Sequence, residues 1–390
     1  MFGRYTNLQP DFNKFRRSVL TACFRAVLFY VFLIFLVCCA CALHADRAKL
    51  VPFVILESVF CPLALSSAPL LYGGFLKKYP GIKYSPLRIL QERNAMHMLG
   101  VREDKEAARL YDSLPFSPFA PSAINHANML YIYPAILTGF WIYSDSASLG
   151  LEATFPDLVP QRNLFIDAVL EEESAKQAVI LGAGFDVRAY GKHGRRMKFF
   201  EVDFNVTQRA KLDSLAAAGM DASGVSFVPL DVRDEQWLQK LEKSGFNKNA
   251  KTIFIVEGLI YYLPKNKVTQ LLDFVSECAQ GSVVVFDYLH TQVVRGEKHS
   301  YMKKILEMAG EPLLFGVEEE AATVMDWASG LGFEVKRWQS LPTVGGMVAL
   351  EVVQRRKATT RIEKGTKKGQ QRDNEARSQI KEQTISKEEL

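Results

Sequence analysis

From residue 178 onward, short β-branched or apolar runs alternate with amphipathic stretches of helical period, and few architectures accept that alternation. The runs fall at 178–181, 198–202, 225–230, 252–256, 282–286, 333–338 and 346–353, with helices expected at 206–218, 234–243, 265–279 and 318–331. Such a pattern requires an α/β fold: a doubly wound, mostly parallel sheet covered by helices on both faces. Only residues 339–345 separate the last two runs, so these are expected to form an antiparallel C-terminal hairpin at one edge.

In an open α/β sheet, ligands bind beyond the carboxyl ends of the strands. After the first run stands Leu181-Gly182-Ala183-Gly184-Phe185-Asp186, where two glycines let the backbone turn tightly and approach a nucleoside. A dinucleotide fingerprint would place a third glycine where Val187 stands, which makes a nicotinamide cofactor a distant reading. Glu201-Val202-Asp203 closes the second run, about 20 residues on, the place of an acid that accepts hydrogen bonds from ribose hydroxyls. Asp231-Val232-Arg233 follows the third run and Glu257-Gly258 the fourth. One such acid alone reads as an exposed strand end. Glycines, Asp203, Asp231 and Glu257 at four successive strand ends read as one nucleoside site.

Several motifs then occur in a telling order: Arg162-Asn163-Leu164-Phe165-Ile166-Asp167, Val179 to Tyr190 around the glycines, Phe200-Glu201-Val202-Asp203-Phe204, Glu257-Gly258-Leu259-Ile260-Tyr261-Tyr262-Leu263 and Val285-Phe286-Asp287-Tyr288. Over about residues 155–290 the chain resembles the leucine carboxyl methyltransferase family. The resemblance implies a class I (Rossmann-like) methyltransferase domain using S-adenosyl-L-methionine (SAM). Carried over by position, Arg162 would pair with the methionyl carboxylate, Gly182 and Gly184 would form the turn against the cofactor, and Asp203 would hold the ribose. Asp231 and Val232 would sit at the adenine, and Glu257 near the methionyl amino group. Arg233 and Tyr262 match positions that hold the acceptor's carboxylate in members that methylate a protein C-terminus, so they are the catalytic candidates. Arg233 could equally make a surface ion pair with Asp231 or Asp234.

Two departures bear on the acceptor. Asn205 stands where the family usually has proline, and the family's N-terminal substrate-binding helices are replaced by unfamiliar sequence. The first expectation is O-methylation of a carboxylate, which needs no base because it is ionised at neutral pH. The second is O-methylation of a small hydrophobic or lipid-like acceptor. A hydroxyl would need a base, and His290 is the convenient histidine, read otherwise as an ordinary loop residue. A reading from another class is a non-catalytic membrane scaffold that retains the fold.

Composition divides the chain into four regions: a membrane-anchoring region 1–84, a helical cap 85–160, the methyltransferase domain 161–354 and a charged tail 355–390 expected to be disordered. Residues 26–43 carry no charge and support a transmembrane helix over about 19–43, preferred to a cleaved signal peptide because its apolar core is long. Arg4, Lys14, Arg16 and Arg17 against Asp11 favour a cytosolic N-terminus. A second apolar segment, 50–75, holds Glu57, Pro52, Pro62 and Pro69 and reads as a return span, a re-entrant segment or a surface helix. The prolines of 113–122 break the cap, and Tyr131, Tyr133, Phe140, Trp141 and Tyr143 belong either to its core or to a substrate pocket.

The tail holds eleven Lys/Arg and six Asp/Glu, an excess equal to the net charge of +5 for the whole chain, so the folded part offers no basic face for nucleic acid. Five of the six cysteines lie before residue 62, no CxxC occurs, and no histidines have metal-ligand spacing, so no metal is expected. The ending Lys387-Glu388-Glu389-Leu390 is one residue from an endoplasmic-reticulum retrieval signal and read literally would be luminal. The sequon Asn205-Val206-Thr207 beside Asp203 argues otherwise, since a glycan there would obstruct the cofactor. The expectation is a membrane protein, of the endoplasmic reticulum or a related membrane, with a cytosolic catalytic domain.

Overall fold

Three of the apolar runs are buried along their whole length: β1 (Gln177–Leu181), β4 (Thr252–Val256) and β5 (Val283–Leu289). Parallel strands covered on both faces require this. With β2 (Lys198–Asp203), β3 (Val225–Pro229), β6 (Phe333–Leu341) and β7 (Gly345–Val352) they form one sheet of order β3-β2-β1-β4-β5-β7-β6. The first five strands pair in parallel, while β7 runs antiparallel to both β5 and β6. The expected hairpin is therefore present, with its second strand inside and β6 at the edge. The computed structural model describes residues 47–117, 119–138, 155–234, 237–318 and 321–353. The span expected at 19–43, Phe140, Trp141, Tyr143 and the charged tail lie outside those residues.

Helix α6 (Phe155–Glu172) leads into β1, α7 (Asn205–Ala217) follows β2, α8 (Trp237–Lys243) follows β3 and α9 (Lys265–Ser276) follows β4. Asn205 opens α7 in the position where proline is well tolerated because that N–H has no partner within the helix, so its replacement leaves the helix start intact. Between β5 and α12 (Ala321–Gly330) lie α10 (Thr291–Arg295) and α11 (Ser300–Met308), elements the strand–helix reading did not place. Helix α6 continues through Pro160, so the boundary expected at 160/161 falls inside a helix.

The N-terminal layer holds α1 (Arg47–Lys78), α2 (Ser85–Met98), α3 (Lys105–Asp112), α4 (Pro121–Asn128) and α5 (Tyr133–Thr138). Instead of turning back on itself, α1 is a single helix of 32 residues. Its stretch Pro52–Lys78, of mean hydropathy 1.8, is long and apolar enough to cross a membrane. Phe53, Cys61, Ala64, Leu71 and Phe75 form a buried stripe, whereas Ile55, Val59, Leu63 and Leu70 on the opposite side are exposed.

The end of α1 also enters a second core. Leu71, Phe75, Tyr79 and Ile82 pack there with Leu87, Leu110 and Phe116 of the cap, with Ala210 of α7, and with Phe185 from the glycine turn. The Phe75 and Phe116 rings lie 6.1 Å and 6.3 Å from that of Phe185. A division at residue 84 therefore cuts through packed side chains, because the bulky residue after the turn buries itself against α1. Of the cap aromatics, Tyr131 packs on this core and Tyr133 stacks on Phe60 at 6.1 Å. Neither lines the cavity described next.

Candidate active site

Strand order reverses between β1 and β4, which makes the groove beyond their carboxyl ends the place for a ligand. A cavity of about 480 Å³ opens there, within the range of small-molecule and cofactor sites. Gly182 and Gly184 take φ of +68° and +47° in the turn after β1. A Cβ on Gly182 would stand 3.3 Å from Leu259, and one on Gly184 3.2 Å from Pro86 of α2. Left-handed backbone and crowded walls thus both demand glycine.

The turn is held by β2. Gly182 and Ala183 donate to the Val202 carbonyl at 2.8 and 3.1 Å, and Gly184 donates to Asp203 Oδ2 at 2.7 Å. The Phe204 N–H donates to Asp203 Oδ1 at 2.6 Å. Burial pushes the Asp203 carboxyl up, and these N–H groups oppose the shift. Glu201, one pleat back, is covered by α7 and accepts from Lys211 at 2.6 Å and Tyr190 at 3.0 Å. Of the two acids that close β2, Asp203 alone lines the cavity.

The floor near β4 is a buried ionic network. Glu257 accepts from Arg162 Nε at 3.2 Å and Arg188 Nη1 at 2.7 Å, and lies 3.5 Å from Arg93 Nη2. Arg162 Nη1 donates to Asp287 at 3.0 Å and to the Tyr261 hydroxyl at 3.2 Å, while Arg93 and Arg188 share Asp186. Arg188 Nε also donates to Asp167 at 2.8 Å, which Arg102 pairs in turn, so each buried charge has a partner, as burial requires. Burial alone would raise the Glu257 carboxyl; Arg188, Arg93 and Arg162 outweigh it and hold it below the usual range. Gly258, at φ +66°, donates to Asp287 Oδ1 at 2.6 Å, and a Cβ on it would stand 3.2 Å from Arg162 Nη2.

Every site residue named from the sequence lines this one cavity: Arg162, Gly182, Gly184, Asp203, Asp231, Val232, Glu257, Arg233 and Tyr262. The two catalytic candidates, however, are not brought together. Arg233 is folded onto Asp231, with Nε 3.0 Å from both carboxylate oxygens and Nη2 at 2.7 Å, the ion pair left open above. It follows β3, whereas Tyr262 lies in a 3-10 turn after β4, three strand positions away, or about 14 Å between strand axes. His290 is buried, donates its backbone N–H to Val344 at 3.0 Å, and does not line the cavity.

Sequence reasoning missed the wall opposite Asp231. Met302, Ile305 and Leu306 of α11, together with Glu311, Pro312 and Leu314, close the cavity beside Tyr262. The helical spacing of Tyr301, Met302, Ile305 and Leu306 was a usable signal; nothing around Glu311 was. Among the described residues, no group of three or more His, Cys, Asp or Glu side chains is placed to hold a metal ion.

A mostly parallel sheet with a glycine turn after its first strand and an inward acid ending its second defines an α/β fold built to take a nucleoside. More particularly, residues 140–276 match the leucine carboxyl methyltransferase family, and the resemblance read from the motifs is borne out. A Bacillus subtilis protein named "Putative S-adenosyl-L-methionine-dependent methyltransferase YktD" is 34% identical over 164 residues, covering 39% of this chain and 53% of its own length. A relative of the same description from Mycobacterium sp. (strain KMS) is 30% identical over 186 residues, covering 44% of this chain and 58% of its own. The chain thus spans little more than half the length of these relatives. Among solved structures, an O-methyltransferase family protein from Burkholderia thailandensis superposes with a TM-score of 0.37 at 12% identity, covering 74% of this chain and 94% of that one. That likeness is too loose to bear on the site.

Proposed function

We propose that the protein is a SAM-dependent O-methyltransferase. The observation that carries this is the closed pairing of the glycine turn with Asp203 inside the cavity at the strand switch. The residues fit the cofactor: the glycines allow a turn where Cβ atoms would crowd Leu259 and Pro86 of the cavity wall, and Asp203 lines the cavity, where it would hold ribose hydroxyls. Asp231 and Val232 would flank the adenine. A zwitterionic methionyl group, carboxylate toward Arg162 and ammonium toward Glu257, adds no net charge to this paired network. When bound, SAM supplies an activated methyl group, and the protein's share is alignment and exclusion of water.

The acceptor favoured by the geometry is the small hydrophobic or lipid-like one. The wall beside Tyr262 is built of Met302, Ile305, Leu306 and Leu314, and Arg233 stands at the far end, engaged by Asp231. Lys83 and Arg88 also line the cavity, but Lys83 donates to the Gly310 carbonyl at 2.9 Å and Arg88 is paired with Glu92. Membrane anchoring through α1 and the segment before it, with the site on the cytosolic side, suits such an acceptor. Calorimetry of the full chain in detergent tests the cofactor: SAM and S-adenosylhomocysteine should bind and NAD should not. A chain cut at residue 84 is unsuitable, because it loses Leu71, Phe75, Tyr79 and Ile82 from the second core.

A further inference from the structure

Glu311 is the one acid on the acceptor wall whose position none of the preceding roles explains. It is 9% exposed and lines the cavity, yet its Oε2 has no hydrogen-bond partner. Its other oxygen accepts from the Ser85 hydroxyl at 2.6 Å. The segment carrying it is pinned on both sides. Leu314 and Phe315 donate to the Tyr261 carbonyl at 2.7 and 3.2 Å, and Lys83 donates to Gly310 at 2.9 Å. A buried carboxylate oxygen without a donor is costly, and this covered oxygen gains a partner if its carboxyl turns toward a donor in the cavity.

Resting on the SAM reading above, we infer that Glu311 Oε2 is the base that receives the acceptor's proton, and that the acceptor is an apolar molecule bearing a hydroxyl, phenolic or alcoholic. Along the sheet, the adenine end at Asp231, Asp203, the glycine turn and Glu257 follow one another, and the next wall is that of Tyr262 and Glu311. With the Glu311 carboxyl turned into the cavity, the acceptor O–H donates to Oε2, which is otherwise covered. Its oxygen forms the new bond to the methyl carbon while the carbon–sulfur bond breaks and leaves its electron pair on sulfur. The proton passes to Glu311 and then to solvent, and the products are a methyl ether and S-adenosylhomocysteine. Burial pushes the Glu311 carboxyl up, against the Ser85 bond and the Lys83 charge, which strengthens it as a base. A carboxylate acceptor would instead meet a like charge at Glu311. Ile305 and Leu314, each about half exposed, continue the apolar wall to the mouth, where an acyl or alkyl portion can leave.

The test is equilibrium binding to the full chain in detergent, saturated with S-adenosylhomocysteine, of three probes with matched tails: 4-octylphenol, 4-octylbenzoate and octylbenzene. Wild type should bind the phenol at least about tenfold more tightly than the other two, the worth of one charge-assisted hydrogen bond. Glu311→Gln, which keeps the Ser85 contact, should lose that preference while S-adenosylhomocysteine affinity and melting temperature stay unchanged. Ser85→Ala, which leaves Glu311 chemically intact but unpinned, should weaken the phenol severalfold and serves if Glu311→Gln does not fold. Failure of S-adenosylhomocysteine to bind wild type would refute the cofactor reading. Normal cofactor binding with preference for benzoate or octylbenzene, with no probe bound, or with the phenol preference intact in Glu311→Gln (in Ser85→Ala where Glu311→Gln does not fold) would overturn the role of Glu311 alone.

Discussion

Replacing Asp203 by alanine separates the cofactor reading from mere fold stability. The side chain accepts two backbone N–H groups, from Gly184 at 2.7 Å and Phe204 at 2.6 Å. Both border the cavity, so water can replace the lost acceptor, and the stability loss should stay near about 1–3 kcal/mol, well inside the ~5–15 kcal/mol typical of a folded domain. Loss of one ribose hydrogen bond, at about 1.4 kcal/mol, weakens SAM tenfold, and loss of two about a hundredfold. The control is Glu201→Ala, two residues away. It would leave Lys211 buried and unpaired, costing about 3–5 kcal/mol, while touching nothing in the cavity. Calorimetry and thermal melts on both variants should show opposite patterns: Asp203→Ala loses affinity with a modest melting shift, and Glu201→Ala loses melting temperature with affinity retained at temperatures where it is folded. Wild-type SAM affinity in Asp203→Ala, or equal affinity loss in both, would refute the placement of the ribose.

Gly258→Val should abolish SAM binding measured by calorimetry, because φ is +66° and the new side chain meets Arg162. Arg233→Ala should leave turnover of an apolar hydroxyl acceptor near wild type; a large fall in kcat with unchanged SAM affinity would restore the carboxylate reading. Burial would raise Asp167, but Arg188 and Arg102 hold it down at about 2, below its ordinary 3.8. A depressed acid stabilises the fold above its unfolded value and loses that contribution as pH falls through its folded one. The stability gap between wild type and Asp167→Asn in denaturant titrations should therefore shrink between about pH 4 and pH 2, by on the order of 2 kcal/mol. Protease digestion of a C-terminal tag on sealed microsomes should proceed without detergent; a protected, glycosylated chain would place the domain in the lumen.

The sheet was legible because each strand is a short, separate apolar run, and in the central strands burial on both faces leaves no polar interruption. The cavity lining was legible for a related reason: strand ends open into it, so Gly182, Asp203, Asp231 and Glu257 could be placed there by position alone. The network under Glu257 was not, since Arg93 comes from α2, Arg162 from α6, Asp186 and Arg188 from the turn and Asp287 from β5, and only the fold brings them together. Arg233 stayed open between two readings because a residue two places after an acid can fold back on it, as it does on Asp231. Glu311 sits in a connection of no regular period, where sequence gives no sign of which way a side chain faces.

The burial of Phe185 against Phe75 and Phe116 has a consequence during synthesis. Helix α1 leaves the ribosome long before its partners: Phe116 comes 41 residues after Phe75, Phe185 comes 110 after it, and Asp213, which accepts from Tyr79, lies 134 residues beyond that tyrosine. At about 5–20 residues per second, the stripe meant for Phe185 waits roughly 5–20 s before the turn exists. Throughout that interval the stripe is covered only in part, by Leu87, Leu110 and Phe116 as they emerge, and the opposite side of α1 is apolar too. Until the glycine turn emerges, the end of α1 therefore exposes the patch that Phe185 will cover.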